Sequence, residues 1–289
     1  MNYIESRDDM SFHKLPTKHV NELSLNVSDL ERSLSFYEHV LGFSILNKKA
    51  NQATMTVDGE TPILNLIQPE NVRQLNARKT GLYHAAYLLP SRSDLADFLL
   101  FAIENRIPLQ GASDHGVSEA IYLADPDGNG IEIYSDRPEE EWEWQNGRVH
   151  MITEALQADH LIQDKSDDGW KGAPKETVIG HVHLQVHNLE QIQKFYVNYF
   201  DFNIVLNYGA HSLFISDNNY HHHIGLNVWN SMNGAKKEAD EVGLNWYSIK
   251  MTEDDRQVVK DKLNQANIQV KEQAGRYIVE DQAGITIHF

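Results

Sequence analysis

The sequence predicts an α+β protein assembled from four βαβββ units, on three observations. The first is an internal duplication. Val27-Ser28-Asp29-Leu30-Glu31 with Phe36-Tyr37 recurs as Val186-His187-Asn188-Leu189-Glu190 with Phe195-Tyr196, each residue 159 positions on from its match. The second is the order of patterns around that repeat: an alternating strand, a helix-spaced apolar stripe, then short strands. The third is an acidic, tryptophan-bearing stretch at residues 136–177, longer than connections inside one compact domain usually are. Together these divide the chain into a first domain at 1–137, a linker at 138–177 and a second domain at 178–289, each domain holding two units.

Unit one opens at residues 22–27, where Leu23, Leu25 and Val27 share one strand face and Glu22, Ser24 and Asn26 the other. Leu30, Leu34, Tyr37 and Leu41 form a helical stripe, and Gly42 stops it. Strands are expected over 43–47, 53–57 and 63–67, with Asp58-Gly59 as a hairpin signal. Unit two reads as a strand at 83–89, a helix at 94–105 and a loop at 111–116. Strands at 120–124 and 131–135 then flank the turn Asp125-Pro126-Asp127-Gly128.

Unit three begins with Ile179-Gly180-His181-Val182-His183-Leu184-Gln185-Val186. Its apolar face is Val182, Leu184 and Val186; the opposite face carries His181, His183 and Gln185, as the wall of a cavity would. Asn188 reads as a helix N-cap before Leu189, Ile192, Tyr196 and Tyr199. Strands follow at 204–208, 212–216 and 222–229. Unit four starts at 243–246, has a helix over 252–267 and closes with a strand at 285–289. Its Asp281 and Gly284 match Asp125 and Gly128, 156 positions apart.

Composition narrows the function. The hydrophobic share is 41% and the charged share 23%, as in soluble globular proteins. A net charge of −17 argues against nucleic acid or an anionic membrane surface as partner. The absence of cysteine excludes disulfides, zinc–thiolate sites and thiol nucleophiles. The first twenty residues do not read as a signal peptide, and no stretch approaches membrane-spanning length, so a cytoplasmic location is expected.

Several motifs resemble the vicinal oxygen chelate superfamily of glyoxalase I, bleomycin-resistance proteins and extradiol dioxygenases. They are Leu30-Glu31-Arg32-Ser33, Leu41-Gly42-Phe43, Asp125-Pro126-Asp127-Gly128-Asn129-Gly130-Ile131-Glu132 and Gly180-His181-Val182-His183-Leu184. Within it, Gly81-Leu82-Tyr83-His84, the segment from Asp114 to Leu123 and Tyr220-His221-His222-His223 are most similar to bacterial catechol-2,3-dioxygenase-type ring-cleaving proteins. The resemblance implies two half-barrel cups, each made by two βαβββ units, with a divalent metal inside. Fe(II) is the expected ion, and Ni, Zn, Co or Mn also suit the family.

By that resemblance each unit offers a ligand from its first and its last strand. The positions are Glu22 and roughly Leu64, His84 and Glu132, His181 and one of His221 to His223, and Trp246 and His288. If units two and three share a cup, His84, Glu132 and His181 form a two-histidine, one-carboxylate set. If units one and two share it, the set is Glu22, His84 and Glu132, and Trp246 takes a ligand position in the other cup. The ligand tally favours the first pairing. His222 is then the expected acid–base group, because a neutral imidazole can take a diol proton near pH 7. His183, His115, Tyr122 and His223 are expected to line the substrate. The bland alternatives are a hydrogen-bonded buried histidine for each, an exposed cluster for the triplet, and a structural role for His288.

The activity implied is extradiol-type dioxygenation of a catechol or hydroquinone, with the aromatic diol and O2 as partners and a homodimer as a compatible assembly. A glyoxalase-type isomerase is the alternative enzyme; it should show two carboxylate ligands and a cationic pocket for glutathione. A binding protein that sequesters a small toxic molecule is the non-catalytic alternative.

Overall fold

The computed structural model describes residues 12–289 except residues 75 and 77. Unit one comprises β1 (His19–Asn26), α1 (Leu30–Phe36, continued by a π-turn at Tyr37–Leu41), β2 (Ser44–Lys48), β3 (Gln52–Thr56) and β4 (Leu64–Ile67). Unit two comprises β5 (Gly81–Leu88), α2 (Arg92–Glu104), β6 (Leu109–Asp114), β7 (Ser118–Ala124) and β8 (Gly130–Asp136). The link carries β9 (Trp144–Gln145), β10 (Arg148–Val149), β11 (Glu154–Ala155) and α3 (Ala158–Ile162). Unit three is β12 (Val178–Gln185), α4 (Leu189–Phe200), β13 (Asn203–Tyr208), β14 (Ser212–Ser216) and β15 (Ile224–Asn227). Unit four is β16 (Gly243–Lys250), α5 (Glu253–Gln265), β17 (Lys271–Gln273), β18 (Arg276–Glu280) and β19 (Thr286–His288). Among the described residues no helix is long and apolar enough to cross a membrane.

Each major helix starts on a side chain that accepts from the backbone N–H three residues on: Asp29, Ser91, Asn188 and Thr252. In every unit the first strand runs parallel to the last, and the helix carries the chain from the first strand to the second, which lies three places away in the sheet. The residues expected as a loop at 111–116 instead supply most of β6, an edge-side strand whose small and polar residues carry little apolar alternation. The Asp58 turn is likewise no two-residue hairpin. Its carboxylate accepts from the backbone of Glu60 and Thr61 in a longer loop between β3 and β4.

Strand pairing crosses the linker. The nine-stranded sheet has the order β11-β6-β7-β8-β5-β12-β15-β14-β13, so β5 and β12 join units two and three antiparallel. The eight-stranded sheet, β17-β18-β19-β16-β1-β4-β3-β2, joins units one and four through β1 and β16. Each sheet therefore takes one unit from either side of the link.

Between the sheets a continuous apolar core draws on all four units, with Leu25, Tyr37, Phe98, Ile131, Leu184, Tyr196, Leu244 and Ile287 each at most 5% exposed. Two related bonds cross it. The Tyr37 hydroxyl donates to Asp125 and the Tyr196 hydroxyl to Asp281, both at 3.2 Å. The duplicated helix tyrosine thus anchors on the duplicated turn aspartate, tying unit one to two and unit three to four. The link is pinned as well. Gly42, at φ +72°, lies so close to Gly172 that a Cβ on it would be 2.2 Å from the Gly172 Cα. Trp170 packs on Phe98, and Trp142 on Phe12 and Tyr220.

Burial pushes the Asp281 carboxyl up from 3.8 to about 7, and Asp125 is raised for the same reason. The folded protein then holds the Asp281 proton up to about pH 7, whereas the unfolded chain releases it near 3.8. Between those values the folded state binds more protons, so this group's contribution to stability falls as pH rises. Asp281→Asn cannot ionise and escapes that loss. The difference in thermal midpoint, variant minus parent, should therefore rise from pH 5 to pH 8; a difference flat in pH would refute the assignment.

Candidate metal centre

The centre of the nine-stranded sheet sets the geometry. On the cup face of β5 stand His84 and Ala86, two residues apart. On β12, His183 lies opposite His84 and His181 opposite Ala86. On β8, Glu132 lies beside Ala86 from the other side. Ala86, fully buried and carrying one methyl group, leaves the space above it to the flanking histidine and glutamate. Gly225 plays the corresponding part under His183, where a Cβ would meet the imidazole at 3.0 Å. The other face of these strands, with Ala85, Val182 and Leu184, is core.

Glu132 Oε2 lies 3.0 Å from His84 Nε2 and 3.3 Å from His181 Nε2. One ligand atom from each of the three residues lies within 4.8 Å of the other two, and all three residues are buried. His84 Nε2 makes no directional hydrogen bond despite its closeness to the carboxylate. Burial opposes charge throughout the site. It pushes His181 down to about 4, and His183 and His222 well below the ordinary histidine value. Burial also works against ionised Glu132, but His181 and His84 hold its carboxyl well below the usual range. The result is a buried carboxylate flanked by the ring nitrogens of two histidines. That donor set fits a divalent cation, whose charge the carboxylate would balance.

A cavity of about 950 Å³ opens over the triad. His183, His115, Tyr122 and His222 all line it with the triad. Tyr122 lies across from Glu132 in the β7–β8 pairing, and its hydroxyl is 2.6 Å from His115 Nε2. His115 Nδ1 donates in turn to the Ile152 carbonyl of the link at 3.0 Å. Burial, followed by the Glu132 charge, raises the Tyr122 hydroxyl above its ordinary value, so it keeps its proton. The His222 ring packs on His181, with centroids 4.0 Å apart, and on Phe214.

His223 does not line the cavity. One residue beyond His222 it turns to the opposite side, where its ring nitrogens meet Ser216 and the Phe12 carbonyl. The alternative ligand set with Glu22 is not assembled, because Glu22 belongs to the other sheet. There Glu22 accepts from Asn65 at 2.7 Å and pairs with Arg276 at 2.8 Å. Asn65, not the core residue Leu64, is the inward position on β4. Trp246 stacks on His288 at 4.3 Å, which occupies the equivalent of the histidine–carboxylate pair. Two lining residues had no role assigned from the sequence: Tyr83 and Trp229, 39% and 49% exposed, with ring centroids 5.1 Å apart and both near His183.

The profile of the Glyoxalase/Bleomycin resistance protein/Dioxygenase superfamily matches residues 18–133. A catechol-2,3-dioxygenase of Bacillus subtilis (strain 168) is 39% identical over 267 residues, covering 91% of this chain and 93% of that protein. Biphenyl-2,3-diol 1,2-dioxygenase 3 of Rhodococcus globerulus is 30% identical over 135 residues, 44% of this chain and 69% of that one. The crystal structure of glyoxalase I from Zea mays superposes with a TM-score of 0.56 at 13% identity, over 94% of this chain and 91% of that chain, a likeness of fold. With four strand–helix units, two curled sheets and a relative aligned along nearly its whole length, the chain belongs to the glyoxalase/bleomycin resistance protein/dioxygenase superfamily.

Proposed function

We propose that the protein is a metal-dependent extradiol-type dioxygenase that cleaves the ring of a catechol or hydroquinone. The observation that carries this reading is the buried two-histidine, one-carboxylate triad opening on a cavity with a further neutral histidine, His222, in its wall. The full-length similarity to a catechol-2,3-dioxygenase supports it. His84, Glu132 and His181 would hold the ion, Fe(II) in this reading, which would supply Lewis-acid activation of the substrate's phenolic oxygen, or of both oxygens where they are adjacent as in a catechol, together with the redox chemistry of O2. Both oxygen atoms of O2 end in the ring-opened product, so the balance needs no external reductant.

The protein's own share is positioning and proton transfer. His222 takes a diol proton as the ring binds; burial keeps its imidazole neutral, which leaves the ring free to accept although it also lowers its basicity. Tyr122, held by His115, presents a hydroxyl beside Glu132 to orient the substrate. Tyr83 and Trp229 give the ring an aromatic wall at the exposed side of the cavity. The glyoxalase reading loses two of its requirements. The triad has one carboxylate, and no lysine or arginine among the described residues lines the cavity to hold the carboxylates of a glutathione adduct.

Protein purified without oxygen and loaded with iron should carry about one ion per chain, measured by elemental analysis. His84→Ala and His181→Ala should each lose it, whereas Glu22→Gln, altered in the other sheet, should retain it. Loss in only one of the histidine variants would break the shared site. With catechol as substrate, oxygen uptake should match the appearance of ring-opened product mole for mole. His222→Gln should lower kcat by about 10²–10⁴ with metal content unchanged. An unaltered rate in that variant would remove His222 from the chemistry.

A further inference from the structure

Behind the cavity wall runs a chain of buried polar groups that the triad does not use. We infer that Asp136, acting through His221, fixes the tautomer of His222 so that its Nε2 faces the cavity as an unprotonated acceptor. This rests on reading His222 as the proton acceptor; Asp136 and His221 are positioning residues for it.

The argument is one of donors and acceptors. Glu132, Tyr134 and Asp136 alternate along β8, so the strand that offers a metal ligand also carries Asp136 one end further along. Asp136 Oδ2 accepts from the Tyr220 hydroxyl at 3.0 Å, and Oδ1 lies 2.8 Å from His221 Nε2. A carboxylate only accepts, so His221 Nε2 carries the hydrogen. His221 is completely buried, with the rings of Tyr220 and Trp142 at centroid distances of 4.0 and 5.1 Å. In the neutral ring Nδ1 is then an acceptor. That nitrogen is 2.8 Å from His222 Nδ1, and two ring nitrogens so close need one proton between them. The proton is therefore on His222 Nδ1. Its Nε2 is left with a lone pair, and no described residue hydrogen-bonds to it.

The ring cannot easily escape this assignment. His222 is wedged between His181 and Phe214, and turning it over would replace the Nδ1 hydrogen bond with a carbon. Asp136 is only partly shielded, its side chain 20% exposed, so the anion keeps contact with water while His221 does not. The arrangement has the logic of a hydrolytic triad, in which a carboxylate sets a histidine tautomer through a direct bond. Here a second imidazole is inserted between them.

The test is the ring tautomer itself. Full-length protein with ¹⁵N-labelled histidine, loaded with diamagnetic Zn²⁺, is examined near pH 7.5 by long-range ¹H–¹⁵N correlation, with His222→Gln identifying the resonances. The parent should show His222 protonated on Nδ1 alone. Asp136→Asn offers an N–H where the parent accepts, so it should reverse both rings and move the His222 proton to Nε2. In the iron-loaded enzyme the same variant should lower kcat for catechol by at least about 100-fold with KM and metal content kept; inversion of a triad tautomer costs about 10⁴. Asp136→Glu should restore most of the rate. A parent spectrum with hydrogen on His222 Nε2 overturns the inference, whatever the variants do, and so does an unchanged tautomer in Asp136→Asn. The expected tautomers in a protein that consumes no oxygen with any diol would uphold the inference and count against the dioxygenase reading.

Discussion

The antiparallel pairing of β5 with β12 is the constraint from which the candidate site follows. That one seam sets His84 across from His183 and His181 across from Ala86, and it fixes which parallel neighbour can reach in from each side. Because side chains repeat every two residues, a slip of one position would send the imidazoles into the apolar core and Val182 and Leu184 into the cavity. Register is therefore enforced by oil on one face as firmly as by chemistry on the other. Two irregularities of the seam, one with Gly180 of β12 left over and one with Tyr83 of β5 left over, bracket the pairs that hold the histidines.

Electrostatics then works locally and against the overall charge of the chain. A net charge of −17 says nothing about a cavity whose lining holds six histidines and no basic side chain. What matters is that burial lowers the imidazoles of His181, His183 and His222 while Glu132 stays ionised. A site with cationic histidines would repel a metal; a site with a protonated glutamate would give it nothing to balance. Desolvation disfavours the first state, and the flanking imidazoles disfavour the second.

Much of this was legible in the sequence because it is periodic. The strand–helix repeat, the paired turn aspartates and the alternation that puts His181, Glu132 and His84 opposite apolar neighbours are local patterns, and the structure realises them with small shifts of boundary. Alternation required only that one of His221 to His223 point inward; the triplet precedes β15 (Ile224–Asn227), and the resemblance rather than the period singled out His222. What alternation does not encode is partnership between distant strands. Whether unit two meets unit three or unit one depends on core faces that look alike in all four units, and ligand-type residues at His84, Glu132 and His181 were the only sequence clue. Trp229 escaped notice because it lies beyond the end of β15, where no period marks it, and the cavity position of Tyr83 goes with a register irregularity beside His84 that alternation does not predict. The strand β6 escaped because Gly111, Ala112 and Ser113 are poor in the branched and aromatic side chains that mark strands.

The duplication also raises the question of why its two sheets diverge. Glu22 and His288 match His181 and Glu132 in position, yet Glu22 is neutralised by Arg276 from its own sheet and His288 lies flat against Trp246. A carboxylate with a guanidinium already beside it has little charge left to offer a metal. The cause of the asymmetry is topological. A chain folded from two copies has a single connection between them, and that connection can serve only one cup. Here it serves units two and three: β11 pairs with β6, Ile152 holds His115, and Trp142 packs on His221. The link thus supplies part of the wall that keeps water from the buried histidines. Among the described residues no strand of the link joins the sheet of units one and four, and there an internal ion pair keeps the Glu22 carboxylate balanced.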